Sequence, residues 1–242
     1  FSAILAYGNV RSIEKSIEKV LAPLGPSPYH SILNFGFLNS WEGFRHRFTT
    51  GMDLIIAGFW LSHVLRRHGS LERFFLLAQR SSNSPLKDTL SGFVENLCSQ
   101  PVPRRYKPMI QERARSLKYL IPSPTRGSAC KRLNLFLRWM VRKNDGIDMG
   151  IWKNYPADKL MLPVDTHLLR TLQYLGWTKS RQATWKVVEE ATARLRLYDA
   201  EDPTRYDFAL CHLSMSGGRI LPYSVALAKK TIQGLKEKNT GS

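Results

Sequence analysis

Apolar residues recur three and four positions apart along most of the chain, and no sustained alternation marks a strand. The pattern predicts an all-α protein of ten or more short helices. Residues 1–7 read as the end of one helix. The next is expected over 12–24, with Ile13, Ile17, Val20, Leu21 and Leu24 on one face, until Gly25, Pro26 and Pro28 break it. Further helices are expected at 30–38, 53–69, 70–79, 85–98, 110–120, 128–143, 166–176, 181–197 and 206–216, followed by a basic C-terminal helix. Breaks rich in Gly, Pro, Ser or Asn fall at 80–84, 100–108, 121–127 and 144–163. The most apolar run, residues 55–65 (IIAGFWLSHVL), is about half the roughly 20 residues a spanning helix needs. It also contains Ser62 and His63, so it reads as a buried core helix with no membrane role.

Charge sharpens this picture. Lys and Arg number 36 against 19 Asp and Glu, a net charge of +17, which exceeds what solubility requires and points to a polyanionic partner. The positive residues are spread along the chain instead of flanking a hydrophobic span, which favours nucleic acid over an anionic membrane. The three cysteines, Cys98, Cys130 and Cys211, stand far apart with no C-x-x-C pair. That spacing argues against a zinc site, an iron-sulfur cluster or a disulfide framework and predicts buried thiols, with no cofactor. Residues 1–8 carry no basic leader or cleavage motif, and the chain does not open on an initiator Met. A cytoplasmic, nucleoid-associated monomer is the expectation.

Two short segments carry candidate chemistry. In residues 119–134 (YLIPSPTRGSACKRLN) a helix ends, two prolines and a glycine turn the chain, and a basic helix opens. Such a helix, hairpin, helix arrangement, expected over 110–143, can aim turn N–H groups and a helix N-terminus at a DNA phosphate without reading any base. An ordinary turn with a solvated basic face explains the same spacing. In residues 162–170 (LPVDTHLLR), Asp165 precedes an apolar helix, where capping is the commoner job for an aspartate. The order of the two, a lysine entering one helix and an aspartate entering a later one, raises a catalytic alternative.

The run Gly127-Ser128-Ala129-Cys130-Lys131-Arg132-Leu133-Asn134 resembles the G-V-G-x-K-T-A-N hairpin of endonuclease III-like DNA glycosylases. Val164-Asp165-Thr166-His167 with Arg170 is similar to their V-D-T-H-x-x-R segment. GSACKRLNLFLRWMVRK, the GIW of residues 150–152, DPTRYDFALCHLSMSG at 202–217 and AYGN at 6–9 extend the likeness over nearly the whole chain, to a bacterial branch of this helix-hairpin-helix superfamily. Two features depart from the pattern. The usual L-P-G-V-G is replaced by residues 121–129, with Ala129 where a hairpin glycine is expected, which makes the turn longer and stiffer. Lys131 and Asp165 stand 34 positions apart, longer than in endonuclease III-like enzymes and closer to archaeal 8-oxoguanine glycosylases.

The resemblance implies a single glycosylase-like unit over 1–242, two lobes with a cleft between them, and double-stranded DNA containing a damaged base or an abasic site as partner. It implies Lys131 as nucleophile and Asp165 as the carboxylate that stabilises positive charge on the sugar. A lysine in water titrates near 10.4, so an attacking amine must first be discharged; burial and a neighbouring cation such as Arg132 are the expected means. Asn9 matches the place where related enzymes insert a Gln or Asn into the duplex. Arg126, Gly127, Ser128, Arg132 and His167 are the expected DNA contacts. Phe136, Trp139 and His46 are the base-pocket candidates, while Trp41, Trp60, Trp152 and Trp185 are more readily core. His212 reads as a packing residue. The expected function is a bifunctional glycosylase and AP lyase acting on an oxidised base, 8-oxoguanine first. Two competitors stay open: a non-catalytic helix-hairpin-helix module that binds nucleic acid through phosphates, and a structural helical domain whose basicity serves ribosome or nucleoid association.

Overall fold

The helical spacing of the apolar positions is realised almost throughout. The structure, a computed structural model, describes residues 1–143 and 146–215, the side chains of 212–215 excepted. Among these residues are thirteen α-helices and one two-stranded hairpin, so the fold is predominantly helical. The expected C-terminal basic helix and the side chain of His212 lie outside the described residues. No described helix is long and apolar enough to cross a membrane. The chain folds as two compact units, with the boundary after Arg126, inside the expected hairpin.

The first unit contains α1 (Ser2–Leu5), α2 (Val10–Leu21), α3 (Pro28–Leu33), α4 (Leu38–Trp41), the strands β1 (Arg45–His46) and β2 (Thr49–Thr50), and then α5 (Gly51–His68), α6 (Leu71–Leu76), α7 (Leu86–Cys98), α8 (Lys107–Glu112) and α9 (Ala114–Leu120). Helix α5 is the buried element foreseen from the 55–65 run, with Leu54, Ile56 and Val64 wholly inaccessible. It begins two residues earlier than its pattern suggests. Thr50 and Asp53 form a reciprocal capping box that places Asp53 in the first turn, and Gly69 at φ 75° ends the helix. Gly51 is required there, because a Cβ would lie 1.6 Å from the Trp41 carbonyl oxygen. Two expected helices are divided. The 30–38 segment breaks where Phe35 takes φ 58°. The 110–120 segment breaks at Arg113 (φ −102°, ψ 11°), whose side chain is drawn to Asp53.

The second unit contains α10 (Lys131–Val141), α11 (Thr166–Tyr174), α12 (Trp185–Arg196) and α13 (Asp207–Met215), with α13 packed along α11. Helix α10 starts later than the expected 128, because Gly127 turns the chain at φ 76° and Ser128 forms a single β-bridge instead. Ser128 bridges to Thr184, and the Gly127 carbonyl accepts the Trp185 amide at 3.0 Å, which fastens the segment before α10 to the start of α12. The Gly/Pro-rich stretch before α11 is anchored by burial: Leu160, Leu162 and Val164 are inaccessible, and the Leu162 amide donates to the Thr192 hydroxyl at 3.0 Å. The chain therefore enters α11 from a fixed position, with Asp165 as its N-cap.

Candidate active site

The second unit brings Lys131 and Asp165 together. Lys131 opens α10, preceded by Cys130 in the left-handed conformation (φ 47°, ψ 36°). That region costs a non-glycine residue on the order of 1 kcal/mol, so the surrounding turn must enforce it. Two bonds do so: the Cys130 amide donates to Ser128 Oγ at 3.1 Å, and Asn134 Nδ2 reaches back to the Ala129 carbonyl at 3.1 Å. Asn134 is buried at 1 % exposure. Asn134→Ala removes that bond and leaves the Ala129 carbonyl without it. The expected loss is about 1–2 kcal/mol in urea unfolding of the full chain.

Asp165 is oriented by its cap. Its Oδ1 accepts the amides of His167 at 2.9 Å and Leu168 at 2.8 Å. With Oδ1 so engaged, Oδ2 faces Lys131 Nζ at 3.4 Å. One oxygen of Asp165 therefore caps α11 while the other lies against Lys131. Both side chains are about one-third exposed, at 33 % and 31 %, so the pair is open to a ligand from solvent.

Beneath the pair lies a buried ionic cluster that the sequence reading missed. Arg138, seven residues after Lys131 and hence on the same helical face, approaches Asp148 at 3.2 Å and pairs with Asp207. Arg142 pairs with Asp148 and with Asp202, the latter at 2.8 Å. These contacts tie the lysine-bearing helix to the loop at Asp148 and to the start of α13. Burial pushes the Asp207 carboxyl above its usual range, against the pull of Arg138, Cys211 and Lys131. Cys211, one turn along α13, donates its thiol to Asp207 Oδ1 at 3.5 Å. Burial and the Asp207 charge push that thiol up to about 12, with Asp165 adding to the rise and Lys131 opposing it. Burial likewise pushes Cys130 up to about 12. Both are therefore protonated at neutral pH and poor nucleophiles. The missed signal was the spacing Arg138/Arg142, two arginines one turn apart in an amphipathic helix, which on burial demand carboxylate partners.

Other expected residues fall variously. Arg126 and Gly127 are exposed, and Ser128 is half-buried. His167 and Arg170 are exposed on α11. Arg132, expected as a DNA contact, is instead buried at 7 %, because it follows Lys131 into the packed face of α10. His46, expected near the base pocket, is also buried, in the first unit. Its Nε2 donates to the Tyr7 carbonyl at 2.9 Å, which leaves Nδ1 to accept from Ser16 Oγ at 2.8 Å. Asn9 is exposed, but its side-chain oxygen caps α2 by accepting the Arg11 amide at 3.0 Å. Phe136 packs edge-on against Trp152 with ring centroids 5.4 Å apart. Five residues beyond Lys131, it is rotated about 140° from it around the helix. Trp139 is half-buried, and its carbonyl accepts the Met149 and Gly150 amides. Trp41, Trp60, Trp152 and Trp185 are core, as expected. None of the three cysteines is in a disulfide; Cys130 is buried and Cys98 and Cys211 are half-buried. Among the described residues no group of three or more His, Cys, Asp or Glu is arranged to hold a metal.

A chain with this helical fold, a fixed lysine–carboxylate pair and a strongly basic balance matches, over residues 1–216, the family described as "Protein of unknown function (DUF2400)". The chain belongs to that family. No curated protein and no solved structure matches it.

Proposed function

We propose that this protein is a helix-hairpin-helix DNA glycosylase with AP-lyase activity, acting on duplex DNA that carries an oxidised base, with 8-oxoguanine as the first candidate. The observation that carries the reading is the 3.4 Å approach of Lys131 Nζ to the one Asp165 oxygen not engaged by helix amides. The proposed chemistry uses these side chains, with solvent water carrying the protons. Lys131 gives its proton to solvent, and its free amine attacks the anomeric carbon of the damaged nucleotide. The glycosidic bond breaks and its electron pair leaves with the base, which takes up a proton. Positive charge on the sugar at that moment faces the Asp165 carboxylate, the interaction that strengthens in the transition state. The amine now bonded to the sugar loses a proton, its lone pair forms the Schiff base as the C1′–O4′ bond breaks, and the released ring oxygen takes up a proton. Loss of a C2′ proton from that Schiff base expels the 3′ phosphate, a step that a water nucleophile does not offer.

The turn ahead of α10, with exposed Arg126 and Gly127, and exposed His167 and Arg170 on α11 supply the phosphate contacts in this reading. Incubation with duplexes containing 8-oxoguanine or an abasic site, followed by borohydride, is expected to give a covalent protein–DNA complex whose modified peptide contains Lys131. Base release without an adduct would leave a monofunctional glycosylase. Salt-sensitive DNA binding with neither release nor adduct would favour the non-catalytic binding module.

A further inference from the structure

The tip of the β1–β2 hairpin in the first unit presents chemistry that the Lys131 site does not use. Arg45 pairs with Thr50 and His46 with Thr49, so the turn is the two-residue step Arg47-Phe48. Arg47 takes φ 52°. A two-residue hairpin turn with positive φ at its first central position ordinarily uses glycine there. A long cation in that place and a phenylalanine after it go against turn chemistry, which is where functional residues tend to stand. Phe48 is 61 % exposed and Tyr119 is 41 % exposed.

These rings form a row. Phe48 meets Tyr119 edge-on at 5.5 Å, and Tyr119 meets Tyr7 edge-on at 5.3 Å. The row rests on a fixed floor: the Tyr7 hydroxyl donates to the His46 carbonyl at 2.8 Å, and His46 is held in turn by Tyr7 and Ser16. A cation stands at the exposed end. The Arg47 guanidinium lies 5.6 Å from the Phe48 ring centre, and Arg45 and Lys118 are exposed on either side in sequence. Gly8 leaves room for the Arg47 arm, since a Cβ there would stand 3.1 Å from Arg47 Cδ.

We propose that Phe48 and Tyr119, flanked by Arg45, Arg47 and Lys118, form a nucleic-acid contact that stacks an unpaired base and grips its neighbouring phosphates. An exposed, rigidly mounted aromatic ring offers a base a π-face without regard to its identity, while guanidinium and ammonium groups neutralise the backbone. Charge complementarity selects the occupant, a single-stranded stretch of polyanion, over an apolar protein surface. The contact does not depend on Lys131 chemistry, so either can fail without the other.

The test is fluorescence anisotropy with the full chain, comparing a labelled 15-nucleotide oligothymidylate with a blunt duplex of equal length. Phe48→Ala is expected to weaken the single strand about five- to a hundredfold and the duplex less than about twofold, with Phe48→Trp restoring binding. Arg47→Ala and Lys118→Ala are expected to weaken both, each lowering the salt slope by about one ion or less. No binding of oligothymidylate by the unmodified chain would overturn the proposal. So would Phe48→Ala and Tyr119→Ala leaving single-strand affinity unchanged, or weakening both substrates equally.

Discussion

Asp165→Asn is expected to slow base release about a hundredfold or more while leaving the fold intact, and Lys131→Gln is expected to abolish the borohydride adduct altogether. Asparagine caps a helix about as well as aspartate. The amides of His167 and Leu168 that now reach Oδ1 keep an acceptor in Asp165→Asn, and only the charge facing Lys131 is lost. Asp165→Ala removes cap and charge together and is expected to cost about 1 kcal/mol of stability besides. The comparison separates the two jobs of one carboxylate. Because the Lys131–Asp165 pair is about a third exposed on both sides, it contributes little to stability, on the order of 0–1 kcal/mol. Thermal unfolding of Lys131→Gln close to that of the unmodified chain, with the adduct gone, is the outcome the proposal requires. An adduct that persists in Lys131→Gln would sink the assignment of the nucleophile.

Local pattern made some of this site legible and hid the rest. The places of Lys131 and Asp165 at helix starts were readable from a turn and a cap, while their pairing was implied only by the resemblance to endonuclease III-like glycosylases. The buried cluster was not readable, because Asp202 and Asp207 stand 60 and 69 positions from the arginines they meet, and a single aspartate in a loop, such as Asp148, carries no mark of its partner. Arg132 shows the opposite failure. Its neighbourhood in sequence suggested a phosphate contact, yet helical rotation of about 100° per residue takes it from the exposed edge of α10 to the packed side. His46 was misplaced for a similar reason: strand alternation turns it inward between the exposed Arg45 and Arg47.

The fold was readable as helix wherever apolar spacing ran for three turns or more, as in α5 and α7. Boundaries slipped where a long-range contact overrode local preference. Arg113 lies in a segment with no helix breaker, and the interruption between α8 and α9 falls there, at the residue whose side chain reaches Asp53, 60 positions away. The non-helical segment before α10 is held by Thr184 and Trp185, again far along the chain.

That same Asp53 carries the largest expected effect on stability. Its carboxylate is wholly inaccessible and accepts from Arg113 at 2.6 and 2.9 Å, from Ser116 at 2.6 Å and from the Thr50 amide at 2.8 Å. Burial by itself would raise the carboxyl; the bonds from Arg113, Ser116 and Thr50, with the charge of Arg113, outweigh it and hold Asp53 below the ordinary value of 3.8. Asp53→Ala leaves Arg113 and Ser116 without that acceptor and dismantles the capping box of α5. The expected loss is about 3–5 kcal/mol, read as lost amide-exchange protection across α5 and α9 of the full chain. The acid limb gives an independent reading. A group whose folded value is depressed supports the fold above its unfolded value and loses that support as pH falls through the folded one. Stability should therefore hold from neutral pH down to about 4 as far as Asp53 is concerned and then fall, with a shallower acid slope in Asp53→Asn. A loss under about 1 kcal/mol in Asp53→Ala would mean that the cost of burying the charge cancels its bonds, and that α5 is held by its apolar face alone.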